Sequence, residues 1–278
     1  MNRAKSDRKG IKKADSSTFT VAVAGKGGTG KTTVASLLVN ELVGRELGSV
    51  LAIDADPNAN LNELLGFEVE GTIGQLEADL LQDSDQVPPG MTKKRWMELN
   101  LQQILAEGKG KDLLVMGRGE GPSCYCAVNN ILREYLTNLS RNYDYMVMDN
   151  EAGLEHLSRR TTTGIDVLLV ISDGNPVALK SARRIAGLVE ELEIDVGAKY
   201  LVLNRLIGDL PEKSVKQIER LDMELIGEIP RDEEIRELCW KGKPIDKLPS
   251  DSPAATAVSK IVSAFVPSPV KASRIRSD

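Results

Sequence analysis

A chain of 278 residues with 41% hydrophobic side chains can form one large domain with a substantial core. A net charge of −5, a pI near 5.3 and an aromatic content of 4% exclude a general nucleic-acid-binding body and a base-stacking surface for single strands. No apolar run approaches the ~20 residues of a membrane span, the N-terminus lacks the apolar centre of a secretory signal, and three cysteines cannot build a disulfide framework. Reduced thiols, a cytoplasmic address, and neither nucleic acid nor membrane as a partner are the expectation.

Residues 1–18 carry six cationic side chains against two aspartates and read as a solvated, disordered leader. FTVAVA (19–24) is a continuous apolar run, as in a strand covered on both faces, and residues 31–47 follow as a helix. Between them lies GKGGTGKTT, Gly25 to Thr33, which meets the pattern G-x-x-x-x-G-K-[ST]. Gly25, Gly27, Gly28 and Gly30 let successive backbone N–H groups curl around phosphate oxygens. Lys31 can reach the β- and γ-phosphates of ATP, Thr32 can ligate Mg²⁺, and the helix turns its positive end toward the anion.

SVLAID (49–54) is the second strand, closing in IDADPNANL (53–61), where Asp54 lies on the Mg²⁺ side and a carboxylate can face the γ-phosphate. Residues 72–107 form a polar, helix-rich insertion broken by VPPG (87–90), and DLLVMG (112–117) resumes the strands. GEGPSCYCAVNN (119–130) holds two of the three cysteines, with a helix expected from NNILREYL (129–136). DYMVMD (144–149) leads into MDNEAGLEH (148–156), where Gly153 could offer its N–H to the γ-phosphate and His156, the only histidine, serves as a structural or switch residue. DVLLVIS (166–172), KYLVLN (199–204) and ELIGEIP (224–230) complete the strands. Cys239, in IRELCW, is assigned to an apolar helical face. Val258, Ile261, Val262 and Phe265 recur at helical spacing and should dock on the sheet. Strand–helix alternation of this kind implies an α/β fold with a doubly wound, mostly parallel sheet. One domain spans 19–266, and residues 267–278 form a frayed tail.

Cys124 and Cys126 raise a question of stoichiometry. Two residues apart in an extended segment, they project to one side, yet two thiolates are half of a tetrahedral site. With Cys239 and His156 otherwise assigned, one chain lacks four soft ligands. Two chains related by a two-fold axis supply them, as an S₄ site for Zn²⁺ or Ni²⁺. The alternative is a pair of buried cysteines acting as small hydrophobes.

The second lysine of the loop, Lys26 in GKGG, resembles the deviant Walker A of the MinD/ParA and nitrogenase iron-protein group of SIMIBI-like P-loop NTPases. That resemblance implies that Lys26 crosses a dimer interface to the partner's nucleotide, so that ATP drives homodimerisation. It further implies that Asp56 orients the attacking water, that Asp149 holds Mg²⁺ through water, that Asn204 hydrogen-bonds adenine, and that Pro230 and Asp232 line the adenine-side loop. GKGGTGKTT, DADPNANL, GPSCYCAVNN and DNEAGLEHLSRRTT together look like the CooC-type accessory ATPases that assist nickel insertion into carbon monoxide dehydrogenase, over residues 19–265. The departures are Thr29, where valine is more usual, and Gly174-Asn175, where a Pro-Ser-like pair is expected. The implied function is ATP hydrolysis by a dimeric nickel-enzyme maturation factor, with carbon monoxide dehydrogenase as client. The rivals are an ATP-driven Fe–S electron-transfer protein and a MinD/ParA-type positioning ATPase.

Overall fold

Continuous apolar runs bury both faces of their strands, and the computed structural model, which describes residues 18–58, 60–82, 87–118, 126–151 and 164–266, has that arrangement. In chain order come β1 (Phe19–Gly25), α1 (Lys31–Gly44), β2 (Val50–Ala55), α2 (Leu61–Leu65), α3 (Ile73–Gln82), α4 (Lys93–Gln103), β3 (Ala106–Glu107), β4 (Lys111–Val115), α5 (Cys126–Ser140) and β5 (Tyr145–Asn150). Then follow β6 (Ile165–Ser172), α6 (Pro176–Glu191), β7 (Val196–Leu206), α7 (Glu212–Ile218), β8 (Glu224–Pro230), α8 (Glu233–Trp240) and α9 (Pro253–Phe265). They build one eight-stranded sheet in the order β3-β4-β2-β5-β1-β6-β7-β8. Every neighbouring pair is parallel except β3 with β4.

Alternate residues of β1 serve two separate cores, as the two-residue period of a strand requires. Ala22 and Ala24 face a layer made by α3, α4, α5 and α6, while Val21 and Val23 face α1, α2 and α9. The insertion is less polar than its composition suggests, because α4 buries Trp96, Met97 and Leu101. It ends in the two-residue strand β3, an antiparallel edge. Helix α1 stops at Gly44, three residues short of the expected end, where Glu46 turns left-handed at φ 53°. Helix α9 docks as expected: Val258, Ile261, Val262 and Phe265 are buried, and the Phe265 ring stacks on Phe19 with centroids 6.3 Å apart. Arg45 ties the far end of α1 to the same helix through the hydroxyls of Ser259 and Ser263. Phe265→Ala should therefore cost about 3–5 kcal/mol, read as a lowered denaturant midpoint with an unchanged slope.

Candidate nucleotide site

Parallel sheets place ligands beyond the carboxyl ends of their strands, and the residues singled out in the sequence gather there. β1 runs into the loop 26–30, and Lys31 begins α1. Gly25 has φ 154°, and any Cβ on it would strike the backbone carbonyl of Ile171 on β6. Gly30 is left-handed at φ 86°, and a Cβ there would strike the Asn204 amide. Thr29 pins the loop by donating its hydroxyl (2.8 Å) and its N–H (3.3 Å) to the Lys26 carbonyl. A valine at that position could not make the first of these bonds. Lys31 lies inside the cradle at 7% exposure, whereas Lys26 is exposed.

The acidic partners stand side by side. Asp54 and Asp149 are register partners on β2 and β5, and both are fully buried. Asp54 accepts the N–H groups of Leu61 (2.9 Å) and Asp56 (3.1 Å), and burial pushes its carboxyl above the usual range. Asp149 is pushed up to about 7, first by burial and then by the neighbouring Asp54, against the pull of Thr32 and Lys31. Thr32 is near enough to favour the charged form, yet neither Asp149 oxygen meets a donor at hydrogen-bond geometry among the described residues. Two orphaned carboxylate oxygens beside a phosphate cradle fit a hard divalent cation. No cluster of three or more His, Cys, Asp or Glu could hold an ion among the described residues. The Asp54–Asp149 pair beside the cradle suits Mg²⁺, which is bound through few carboxylates together with water and phosphate. Asp56 is half-buried on the wall of the phosphate-side cavity, its Oδ1 accepting from the Asn58 backbone (2.9 Å) and side chain (3.0 Å).

Two cavities meet at this edge. The phosphate-side one, about 470 Å³, is lined by Gly27, Gly28, Gly30, Lys31, Thr32, Thr33 and Asp56. The other, about 730 Å³ and more apolar, is lined by Asn204, Leu206, Pro230, Asp232 and Ile235, among others. Its size and place suit a nucleoside. The residues assigned to adenine contact thus line one wall, but they also do structural work. Asn204, buried at the end of β7, donates to the Thr29 carbonyl at 2.8 Å and accepts from Arg205 N–H at 3.0 Å. Asp232 caps α8 by accepting the Glu234 and Ile235 N–H groups on Oδ1, while Oδ2 takes the Ser252 hydroxyl and the Ala254 N–H at the start of α9. Its carboxylate joins two helix N-termini.

Cys239 needs correction. Helix α8 buries none of its side chains, and Cys239 is exposed, lining both cavities instead of an apolar face. Trp240, 87% exposed, lies on the larger cavity. Lys243 faces the phosphate-side one. Sequence reasoning did not select Trp240, Lys243 or Arg205, since each looks like an ordinary surface side chain until α8 folds back over the cradle. Asn175 has a clear local role: it caps α6 by accepting the Val177 and Ala178 N–H groups.

Cys124, Gly153 and His156 lie outside the described residues. Cys126 is the first residue of α5, not part of an extended segment, and its side chain also lies outside them. No helix among the described residues is long and apolar enough to cross a membrane.

A strand, glycine loop and helix carrying a buried lysine, with two strand-end carboxylates beside it and a nucleoside-sized cavity adjoining, define an ATP-binding P-loop domain. The chain belongs to the family described as the CobQ/CobB/MinD/ParA nucleotide binding domain, whose model matches residues 20–245. It is 43% identical to an uncharacterized ATP-binding protein of Methanocaldococcus jannaschii, over 88% of this chain and 98% of that one. It is 29% identical to the carbon monoxide dehydrogenase accessory protein CooC of Rhodospirillum rubrum, over 78% of this chain and 85% of that one. Its fold matches the septum site-determining protein MinD complexed with Mg-ADP from Pyrococcus horikoshii, with a TM-score of 0.63 and 24% identity over 88% of this chain and 94% of that one.

Proposed function

We propose that the chain is an ATP-hydrolysing homodimer that assists nickel insertion into an enzyme of the carbon monoxide dehydrogenase type. The observation that carries this reading is the pairing of Lys26 in the loop with Cys124 and Cys126 in one chain similar to CooC. Lys31, Thr32 and the backbone of 25–32 hold the phosphates; the second amide hydrogen of Asn204, with Pro230 at the cavity wall, meets the base. Thr32, Asp54 and Asp149 are the residues that would hold Mg²⁺, and the ion would neutralise charge on the phosphates. Asp56 orients the water that attacks the γ-phosphate, assisted by the N–H of Gly153.

Lys26, exposed on a pinned loop, reaches the nucleotide of the facing copy. Closure brings two Cys124–Cys126 pairs together around one Zn²⁺ or Ni²⁺, the cargo of the cycle. Because nucleotide and metal both favour the dimer, each tightens the other by the same factor. Hydrolysis loosens the pair and releases the metal to the client.

The joint substitution Cys124→Ala and Cys126→Ala should abolish metal binding to the ATP-loaded dimer while sparing ATP affinity. Metal analysis after gel filtration reads this as a fall from one ion per two chains to none. Unchanged stoichiometry would remove the thiolate site and favour a positioning ATPase, for which co-sedimentation with vesicles or DNA is the corresponding assay. Brown, cluster-like absorbance in the wild type would favour an electron-transfer protein.

A further inference from the structure

Arg205 is the last-but-one residue of β7, where the register with β8 breaks between Asn204 and Leu206, and its φ of 60° is left-handed, a conformation that residues with a Cβ seldom adopt and that clusters at functional sites. The turn carries its guanidinium back over the cradle, where Nη1 donates to the Gly28 carbonyl at 3.1 Å. Asn204 takes the next carbonyl, that of Thr29, so consecutive residues of β7 hold consecutive carbonyls of the phosphate loop. Arg205 also walls both cavities.

The other arginines of the larger cavity, Arg231 and Arg236, are both paired with Glu233. No ion pair engages Arg205 among the described residues. A guanidinium has five N–H donors, and the Gly28 bond uses one. A nucleotide with its base in the larger cavity and its outer phosphates in the cradle has to carry its ribose and α-phosphate across the divide that Arg205 occupies.

We propose that Arg205 is a nucleotide-binding residue that clamps the α-phosphate while strapping the phosphate loop through Gly28. The assignment rests on the ATP reading of the site. It explains why a cation is held in a strained turn at the junction: the backbone conformation is what points the guanidinium at both the loop and the ligand.

The test is calorimetric titration with ADP, adenosine and inorganic phosphate. Arg205→Asn accepts the left-handed backbone and removes the guanidinium; Arg205→Lys keeps the charge. Arg205→Asn should weaken ADP about 10- to 100-fold, the worth of a charge-assisted hydrogen bond. Adenosine and inorganic phosphate should each lose at least about tenfold less, because adenosine carries no phosphate and a single phosphate held in the cradle leaves the junction empty. Arg205→Lys should recover part of the ADP loss. Unchanged ADP affinity overturns the clamp. So does an equal loss of inorganic phosphate, which would make Arg205 a loop strap alone, or an equal loss of adenosine, which would mean a collapsed base cavity. A wild-type chain that fails to bind ADP would sink the nucleotide reading itself, and the clamp with it.

Discussion

Asp149→Asn should stabilise the nucleotide-free protein at pH 8 and, in the same molecule, abolish the Mg²⁺-dependent tightening of ATP. Burial lifts the Asp149 carboxyl to about 7, so between its unfolded value near 4 and pH 7 the folded state holds the proton more tightly than the unfolded one. Stability contributed by this group is therefore full below pH 4 and falls as pH rises toward 8. Asparagine removes that dependence, and thermal melts of the wild type should converge on those of the variant as pH drops to 5. The gain at pH 8 should reach a few kcal/mol, since a buried, unpaired carboxylate is among the costlier groups a core can hold. The functional loss follows from the same orphaned oxygens: an amide supplies no charge to a hydrated cation. ATP titrations with and without Mg²⁺ should then coincide for the variant. A variant less stable than wild type at pH 8, or one still tightened by Mg²⁺, would show that Asp149 is a structural carboxylate.

Lys26→Ala should leave a chain that binds ATP with near-normal affinity, stays monomeric and hydrolyses ATP at least about 1,000-fold more slowly, the lower end of the range for losing a cation supplied across an interface. The local structure makes the substitution clean. The loop is held by backbone and by Thr29, both directed at the Lys26 carbonyl and not at its side chain, so the cradle should survive. Lys31, buried in the cradle, stays in place for the chain's own nucleotide. Light scattering with a non-hydrolysable ATP analogue reads the assembly, and phosphate release reads the rate. A monomeric variant with wild-type turnover would remove the case for a lysine acting in trans.

Much of this architecture was legible because doubly covered strands leave continuous apolar runs. FTVAVA, SVLAID and ELIGEIP fall within one residue of strands β1, β2 and β8. The cradle was legible because glycine, lysine and threonine at fixed spacing have few other uses. What stayed hidden depends on long-range contact. Neither the antiparallel edge at Ala106–Glu107 nor the left-handed turn at Arg205 has a local signal, the first being two residues long and the second carried by an arginine. Asp232 is placed by resemblance on the adenine-side loop, and nothing local shows that one of its oxygens reaches Ser252, twenty residues away. The segment IRELCW suggests an apolar helical face for Cys239, whereas α8 buries none of its side chains.

Sulfur coordination in the ATP-loaded dimer tests the proposed machine most directly, and X-ray absorption at the nickel or zinc edge reports it. Four sulfurs per metal ion, at about 2.3 Å for zinc, are expected, with the signal lost when Cys124 and Cys126 are replaced. A first shell of nitrogen and oxygen, or of two sulfurs only, would contradict a thiolate site completed by a second copy.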